Sequence, residues 1–253
     1  MNTVKVRNLE LGAGIPAICI PNVGKTKDEI LSLTREYKEM HMDLMEWRAD
    51  WFEGADDIPG VIEVIEELRD ILSDTPLLFT FRTLREGGAR KIAAEAYASL
   101  IRSAAATGLT DLIDVEIFTG DAVAADLIAY IHENHTKVVA SNHDFDKTPP
   151  QSDIVYRLRK MQDMGADIAK IAVMPQSKRD VLALLEATEE MSRHSNKTPI
   201  VTVSMGKEGV ISRLCGEAFG SAITFGSAEK ASAPGQMHAE DVKTVLEILH
   251  KSS

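Results

Sequence analysis

A lysine interrupts an otherwise apolar segment at 168–174, where the sequence reads IAKIAVM. Lysine is rarely fully buried, and Lys170 in the middle of a β-strand would lose much of its hydration. Because loss of water disfavours the charged form, burial favours the neutral amine, which is a nucleophile towards carbonyl carbons. The pattern therefore indicates Schiff-base catalysis. The alternative is that a neighbouring carboxylate such as Asp114 or Glu116 neutralises the lysine, and the pattern alone does not decide between them.

Further charged and polar residues fall on alternate positions of four other strand-like segments. Side chains on a strand alternate in direction, so within each segment these residues share one face and apolar residues take the other. Burial of an unpaired charge is unfavourable by several kcal/mol, and a set spread over five strands is typical of an active site. The set comprises Glu46 and Arg48, Thr80 and Arg82, Asp114 and Glu116, Ser141 and His143, and Lys170.

Several of these residues also have a purely structural interpretation. If Glu46 and Arg48 form a structural ion pair, their charges are balanced without a ligand. Arg82 and Arg213 as surface residues would follow the usual distribution of arginine in proteins. A single histidine such as His143 is most often a hydrogen-bonded structural residue. These alternatives stay open at the level of the pattern.

Short β-rich segments alternate with segments of helical period along the whole chain. Eight strands, each followed by a helix, are the pattern of a (β/α)8 TIM barrel, an α/β fold of about 250 residues. We therefore expect one barrel domain over residues 1–253, with a short N-terminal β-hairpin within 3–11 capping one end. A doubly wound open sheet is the alternative, but it usually has fewer strands and a glycine-rich first turn. The predicted strands are 17–21, 44–49, 77–82, 112–118, 137–141, 168–174, 200–205 and 222–225.

Composition narrows the class of partner. The 253 residues carry 28 Lys and Arg against 39 Asp and Glu, a formal net charge of −11, which disfavours binding to nucleic acid and to anionic membranes. An anionic ligand would therefore need a local cluster of arginines. Cys19 and Cys215 have no CxxC neighbour and predict reduced thiols in a cytoplasmic protein. There is no signal-peptide pattern and no apolar run of about 18 residues, so we expect neither secretion nor a membrane span.

Two loops that follow predicted strands carry further candidates. In a barrel, the loops after the strands form the catalytic face. Glu86 lies soon after the third predicted strand, either as a turn residue or as the carboxylate that orients His143. The segment SAEKASAPGQ at 227–236 follows the eighth predicted strand, and its small, polar, Gly- and Pro-containing composition predicts a mobile lid loop.

Six segments, in order along nearly the whole chain, resemble the motifs of the type I 3-dehydroquinate dehydratase family. They are EWRAD at 46–50, FTFRTLREGG at 79–88, SNHDF at 141–145, KIAVMPQS at 170–177, GVISRL at 209–214 and ASAPGQ at 231–236. Their number and order make the resemblance specific, which no single motif would be. The resemblance implies a TIM-barrel lyase of the shikimate pathway that dehydrates 3-dehydroquinate to 3-dehydroshikimate through an imine.

The resemblance also implies roles for the residues at the matching positions. Lys170 matches the lysine that forms the Schiff base. His143 matches the general base that removes a proton and the general acid that then protonates the departing hydroxyl group. Glu86 matches the carboxylate that orients this histidine, and Arg213 matches the arginine that pairs with the substrate carboxylate. The remaining matches are Glu46, Arg48, Arg82, Ser232 and Gln236, which hold the substrate hydroxyls and close the site, and Met205 and Phe225, which form apolar walls.

The resemblance implies no metal and no cofactor. The partners that it implies are the small-molecule substrate 3-dehydroquinate and a second copy of the chain in a homodimer, without nucleic acid or membrane. One position departs from the family pattern. Pro21 stands where the family often has a serine that contacts the substrate, and Asn22 is the candidate replacement.

Two other functions stand as alternatives. A class I aldolase-type barrel also uses a Schiff-base lysine, but it should bind phosphate after its seventh and eighth strands, and the ASAPGQ segment argues against it. A non-catalytic carboxylate-binding barrel, as a degenerate relative, predicts the loss of Lys170, His143 or Glu86, and all three are present.

Overall fold

The computed structural model describes residues 2–194, 197–228 and 232–252. The strands in these ranges are β1 (Val4–Val6), β2 (Leu9–Leu11), β3 (Ala17–Asn22), β4 (Leu44–Arg48), β5 (Leu77–Thr80), β6 (Leu112–Glu116), β7 (Lys137–Asp144), β8 (Ile168–Val173), β9 (Ile200–Ser204) and β10 (Ile223–Phe225). The helices are α1 (Lys27–Lys38), α2 (Ile58–Leu72), α3 (Ala94–Ala106), α4 (Asp121–Glu133), α5 (Gln151–Asp163), α6 (Lys178–His194), α7 (Ile211–Leu214), α8 (Gly216–Phe219) and α9 (Ala239–His250). None of these described helices is long and apolar enough to cross a membrane.

Strands β3 to β10 form one parallel sheet that curls into a nearly closed barrel. Its order is β10-β3-β4-β5-β6-β7-β8-β9, so each strand pairs with its neighbours in the sequence. The last two strands meet at a single parallel bridge between Ile200 and Ser221, and the Ala222 N–H donates to the Ile200 carbonyl oxygen over 2.8 Å. The prediction of a (β/α)8 barrel is confirmed.

The N-terminal hairpin covers the end of the barrel at which the strands begin. Strands β1 and β2 pair antiparallel, and Val6 and Leu11 of this hairpin pack into the apolar interior beside Leu44 and Leu78. The Arg7 guanidinium also reaches Asp111, just before β6, with Nε 2.6 Å from Oδ1. The expectation of a capping hairpin is therefore confirmed.

The side chains of the barrel strands divide between an inner and an outer core, as their alternation predicts. The outer core lies between the sheet and the helices and includes Trp47 and Phe79, whose rings meet edge to face with centroids 5.5 Å apart. The inner core fills the barrel with inward-facing residues from all eight strands, among them Ile223 of β10 and one residue near the beginning of each of the other seven. The residues of those seven strands are Cys19, Leu44, Leu78, Leu112, Val139, Ile168 and Val201.

The connection between β9 and β10 differs from the predicted single helix. It contains two helices of four residues each, α7 and α8. Ser212 attaches α7 to the end of β9, since its hydroxyl oxygen accepts the Ser204 N–H over 2.9 Å and donates to the Gly209 carbonyl over 2.8 Å. This short connection holds Arg213 beside the C-terminal ends of the strands.

Candidate active site

A pocket opens at the C-terminal ends of the barrel strands. Its position is the one expected for a TIM-barrel active site, because the loops that follow the strands meet there. All eleven site residues that the sequence predicted line this one pocket. They are Glu46, Arg48, Arg82, Glu86, His143, Lys170, Met205, Arg213, Phe225, Ser232 and Gln236.

Five further residues line the pocket that the sequence prediction did not include. They are Gly87, Phe145, Ala172, Val203 and Ala233. Strand alternation carried a signal for two of them, since Ala172 lies two positions after Lys170 and Val203 two positions before Met205. These residues are apolar, so a search for charged side chains on the inward face passes over them.

Lys170 projects from β8 into the pocket, and its side chain is 6% exposed. Its Nζ lies 3.5 Å from Glu46 Oε1 and 4.2 Å from the centre of the Phe225 ring. Glu46 Oε1 also accepts a hydrogen bond from the Thr80 hydroxyl over 2.9 Å. The carboxylate that faces the lysine is therefore Glu46, at the long end of hydrogen-bond range.

Asp114 and Glu116, the carboxylates proposed from the sequence to neutralise Lys170, instead surround Arg82. The Arg82 guanidinium donates through Nη2 to Asp114 over 2.8 Å and through Nη1 to Glu116 over 3.0 Å. It also donates to the Ser141 hydroxyl over 2.9 Å. The idea that either carboxylate neutralises Lys170 is wrong.

Arg48 likewise has a partner that the sequence analysis did not propose. Its Nε lies 2.8 Å from Asp50 Oδ1 and its Nη2 lies 2.8 Å from Asp50 Oδ2, so two parallel hydrogen bonds join this ion pair. The proposed structural pair between Arg48 and Glu46 is therefore not formed. Asp50 also accepts the Arg82 and Ala89 backbone N–H groups over 3.2 Å and 2.9 Å. Burial of Asp50 raises its pKa, but the Arg48 charge and these hydrogen bonds outweigh burial and lower it overall.

His143 and Glu86 form a hydrogen-bonded pair across the pocket wall. His143 lies near the end of β7, and its Nδ1 is 3.1 Å from Glu86 Oε2. The same oxygen accepts the His143 backbone N–H over 2.9 Å. The other oxygen, Oε1, accepts the Asn142 side-chain amide over 3.2 Å. Because Nδ1 faces the carboxylate, Nε2 is the ring nitrogen left for a ligand.

A short 3-10 turn after β5 presents Glu86 to the histidine. This turn, Leu84–Glu86, ends at Gly87, whose φ is +81°. A Cβ atom at Gly87 would lie 2.1 Å from the Phe145 ring, so both the backbone conformation and the close approach of this ring favour glycine. The REGG sequence thus fixes the position of the carboxylate relative to β7.

Burial shifts the pKa values of both members of this pair towards their neutral forms. Burial lowers the pKa of His143 well below its usual value, and the positive charges of Arg82, Lys170 and Arg48 lower it further. Burial raises the pKa of Glu86 to about 8, although Arg82 and the hydrogen bond from Asn142 oppose the shift. The imidazole is therefore neutral at neutral pH and able to accept a proton.

Arg213 is the arginine of the pocket that faces no carboxylate among the described residues. It is 3% exposed, and its Nη2 donates to the Pro234 carbonyl over 3.1 Å. Its Nε is buried without a hydrogen-bond partner in the described part of the chain. Burial lowers the pKa of Arg213 to about 10. Both Arg213 and Arg82 are buried, so the surface interpretation of these arginines is wrong.

Residues 232–236 lie at the rim of the pocket, in the second half of the predicted lid. The Gln236 side-chain oxygen accepts the Ser232 N–H over 2.7 Å, and its amide donates to the Ser232 hydroxyl over 3.0 Å. Gly206, after β9, donates its N–H to the Pro234 carbonyl over 3.1 Å. Gly235 has a φ of +77°, and a Cβ there would lie 2.3 Å from the Gly206 carbonyl oxygen. Residues 229–231, at the centre of the predicted lid, lie outside the described residues.

Asn22 does not face the pocket, so the expectation that it replaces the family serine is wrong. Its side-chain amide donates to the Ile30 carbonyl over 2.8 Å and to the Thr34 hydroxyl over 2.9 Å. Both partners belong to α1, on the outer side of the sheet. Strand alternation turns Pro21 inward instead, and proline supplies no hydroxyl group at that position.

Comparisons with known proteins agree with this geometry. The family model described as type I 3-dehydroquinase matches residues 18–253. The curated 3-dehydroquinate dehydratase of Clostridioides difficile (strain 630) is 51% identical over 249 residues, 98% of each chain. The 3-dehydroquinate dehydratase of Salmonella agona (strain SL483) is 50% identical over 252 residues, which is 100% of each chain.

Solved structures give the same result. A type I 3-dehydroquinate dehydratase from Clostridium difficile with covalently modified comenic acid is 50% identical, with a TM-score of 0.96 over 100% of this chain and 99% of that one. The 3-dehydroquinate dehydratase from Geobacillus kaustophilus HTA426 is 41% identical, with a TM-score of 0.97 over 100% of this chain and 98% of that one.

Proposed function

The chain belongs to the type I 3-dehydroquinase family, hydro-lyases of the shikimate pathway, and we propose that it dehydrates 3-dehydroquinate through an imine formed on Lys170. One observation carries this proposal: a buried lysine, a histidine–carboxylate pair and an arginine without a carboxylate partner line the same pocket. Each supplies a different requirement of the reaction, namely a nucleophile, a base and a receptor for the substrate carboxylate.

Substrate binding begins with the carboxylate group of 3-dehydroquinate at Arg213. The planar guanidinium suits a carboxylate because two parallel N–H groups can bind its two oxygens. Its buried Nε has no partner among the described residues, so a bound carboxylate would satisfy a donor that the protein leaves unpaired. The charge of Arg213 also counteracts the net negative charge of the chain at the point where the anion binds.

Covalent chemistry then proceeds on Lys170. In its unprotonated form, the amine attacks the C3 carbonyl carbon of the substrate. Loss of one water molecule and uptake of one proton from solvent then give a protonated imine. The imine draws electrons from the adjacent C2 carbon, so the C2–H bond becomes acidic. Phe225 packs on one side of the amine and Glu46 faces it from another, so the nucleophile is held on the inner wall of the pocket.

Proton transfer falls to His143. The neutral imidazole takes the C2 proton at Nε2 while Glu86 holds Nδ1 and stabilises the imidazolium that forms. The enamine then expels the C1 hydroxyl group, and His143 returns its proton so that water leaves. A water molecule finally hydrolyses the protonated imine, which releases 3-dehydroshikimate, the free amine of Lys170 and one proton to solvent.

Arg82 and Arg48 act mainly through the carboxylates around them. Arg82 bridges β5, β6 and β7 through Asp114, Glu116 and Ser141, so it fixes the strands that carry the catalytic groups. Arg48 is held by Asp50 and still lines the pocket. We infer that both keep the roles predicted for them, contacts with substrate hydroxyls, with their orientation set by these ion pairs.

The remaining expectations are proposals of the same kind. Ser232 and Gln236 close the pocket over the bound substrate as part of the lid at 227–236. The chain works as one barrel domain over 1–253, and as a cytoplasmic homodimer without nucleic-acid or membrane partners. Sedimentation or light scattering on the purified chain measures the oligomeric state, and a monomer at micromolar concentration would refute the dimer.

Borohydride trapping tests the proposed function. The protein is mixed with 3-dehydroquinate, reduced, digested and analysed by peptide mass. We expect a reduced adduct on Lys170, none in Lys170→Ala, and an undiminished adduct in the surface control Lys197→Ala. The solved type I 3-dehydroquinate dehydratase from Clostridium difficile contains covalently modified comenic acid, which supports the proposal of covalent chemistry. A folded protein that gives no adduct would favour the non-catalytic barrel, and an adduct only with other carbonyl compounds would favour an aldolase.

A further inference from the structure

The hydrogen bonds of the catalytic pair continue outward to a residue on a helix. Asn142 precedes His143 on β7 and is buried. Its amide nitrogen donates to Glu86 Oε1 over 3.2 Å, and its amide oxygen accepts Nη1 of Arg157 over 2.9 Å. Arg157 belongs to α5, outside the barrel. The chain of contacts therefore runs from Arg157 through Asn142 and Glu86 to His143.

We propose that Arg157 and Asn142 are positioning residues that select the base-competent tautomer of His143. The proposal deepens the proposed function and rests on it. A guanidinium carries only N–H donors. The amide oxygen of Asn142 must therefore face Arg157, and its NH2 group must face Glu86. The helix residue thus fixes which end of the amide the carboxylate meets.

This orientation of the amide also sets the donor and acceptor roles in the hydrogen bonds of Glu86. Glu86 Oε1 accepts from Asn142, and Oε2 accepts the His143 backbone N–H. When Glu86 is ionised, both of its oxygens act as acceptors, so the proton between Glu86 and the ring lies on Nδ1. The hydrogen bond from Asn142 favours this ionised form against the burial that raises the pKa of Glu86. A neutral imidazole with its proton on Nδ1 has a free lone pair on Nε2. That nitrogen is the one that must take the C2 proton.

Arg157 is itself held firmly enough to impose this orientation. Its Nη2 lies 2.8 Å from Asp153 Oδ2, one turn earlier on α5. Its Nη1 lies 3.7 Å from Asp144 Oδ2, and its guanidinium carbon lies 5.7 Å from the centre of the Phe118 ring. Two carboxylates and an aromatic face thus fix the plane of the guanidinium.

The other charged groups near the pair do not replace this amide. Arg82 lies 3.7 Å from Glu86 Oε2 and donates to Asp114 and Glu116 instead. The negative charges of Glu116 and Asp114 raise the pKa of Glu86, and Arg82 and the Asn142 hydrogen bond lower it. Arg82, Lys170 and Arg48 are the cations whose charges act on His143. Asn142 is thus the neutral group that donates to Glu86 Oε1.

Asn142→Asp is the sharpest test, because it keeps the oxygen that faces Arg157 and replaces the donor to Glu86 by an acceptor. We expect kcat to fall about tenfold or more with KM changed less than about threefold, as for loss of a group that supports general base catalysis. The acid limb of the kcat/KM profile should move up by about one pH unit, because Glu86 loses a donor to its ionised form. An unchanged pH profile would overturn the proposal.

Arg157 supplies the second test if the Asp variant does not fold. Arg157→Gln removes the obligate donor, and Arg157→Lys keeps a charged donor. We expect the acid limb of the kcat/KM profile to move to higher pH in Arg157→Gln. In Arg157→Lys it should lie close to its wild-type position. Arg159→Gln is the matched control on the same helix, since Arg159 contacts Glu190 rather than β7, and its profile should match the wild type. Equal profiles for all three variants would refute the role of Arg157.

A measurement without substrate separates this proposal from the proposed function. The ¹⁵N NMR shifts of the His143 ring report which nitrogen carries the proton. We expect Nδ1–H in the wild type and a loss of that preference in Asn142→Asp. The same ring signals in both proteins would overturn the positioning role even if Lys170 forms its adduct. Absence of the adduct in the wild type, with the tautomer shift present, would instead refute the imine mechanism alone.

Discussion

Glu86 is attached to His143 at two points through a single oxygen atom. Oε2 accepts the backbone N–H of His143 over 2.9 Å and lies 3.1 Å from Nδ1 of its ring. The backbone contact ties the carboxylate to β7, the strand that also carries the ring. The orientation of the imidazole therefore depends on the main chain as well as on the side chain.

The Glu86→Gln variant should change how stability depends on pH. The pKa of Glu86 rises from 4.5 to about 8 in the folded protein, so between these values the folded state binds more protons than the unfolded state. Its contribution to stability is therefore present at low pH and is lost as the pH rises towards 8. We expect the variant to gain in Tm relative to the wild type on going from about pH 5 to about pH 9.

His143 acts in the opposite direction, because its lowered pKa makes the folded state bind fewer protons below its ordinary range. Because the His143 ring contacts Glu86, the comparison is made in a His143→Ala background, where this contribution is absent from both proteins. Glu189→Gln, which alters an exposed ion pair with Arg193, is the control. A Tm difference between Glu86→Gln and its parent in that background that does not vary with pH would contradict the shifted carboxyl.

The His143→Ala variant should stop the reaction after the imine has formed. We expect turnover to fall by about 10²–10⁴-fold, the usual contribution of general acid–base catalysis. Borohydride should still trap the substrate on Lys170, because the attacking amine does not depend on the imidazole. His250→Ala, on the surface at the end of α9, should keep wild-type turnover. Failure of the His143 variant to form any adduct would contradict this order of steps.

The Arg213→Met variant should bind substrate poorly and yet fold more stably. Arg213 is buried with no carboxylate partner in the described residues, so removal of its charge relieves an unfavourable desolvation. We expect Tm to rise without substrate and kcat/KM to fall about 100-fold, as for the loss of one partner of a buried ion pair. Arg213→Lys should lose less of kcat/KM, because lysine keeps the positive charge but lacks the two parallel N–H groups of the guanidinium. A fall in Tm would show that the guanidinium is structural.

The Arg82→Met variant should be strongly destabilised. Its removal leaves Asp114 and Glu116 as buried carboxylates without their cation, which costs about 3–5 kcal/mol for a broken buried pair. Urea unfolding measures this loss as a lower free energy of unfolding. Addition of Asp114→Asn should restore part of the stability, because the two residues interact directly. Independent, additive effects would exclude the network as the cause.

Strand alternation accounts for most of what the sequence could predict. The inward position of Lys170, Glu46 and His143 follows from a period of two residues once the strands are recognised. The barrel and the capping hairpin follow from the order and spacing of the segments. The same rule also exposes the error at Asn22, which lies one position after Pro21 and must therefore face the helices.

Partner choice inside the barrel could not be predicted in this way. Whether Glu46 pairs with Arg48 or faces Lys170 depends on side-chain rotamers and on the distances between neighbouring strands. The nearest alternative, Asp50, lies in a 3-10 turn just beyond β4, and a strand pattern does not extend into that turn. Asn142 and Arg157 were missed for a related reason, because their contacts join a strand to a helix of the outer layer.

The N-terminal hairpin closes the barrel at the end opposite the opening of the pocket. With Val6 and Leu11 packed into the lower end, substrate, water and product enter and leave at the C-terminal ends of the strands, where residues 232–236 lie at the rim. Substrate and product therefore use the same opening, and product cannot leave while a second substrate molecule occupies that opening. A molecule bound in this opening would prevent substrate binding, hydrolysis of the imine and product release together, without contacting Lys170.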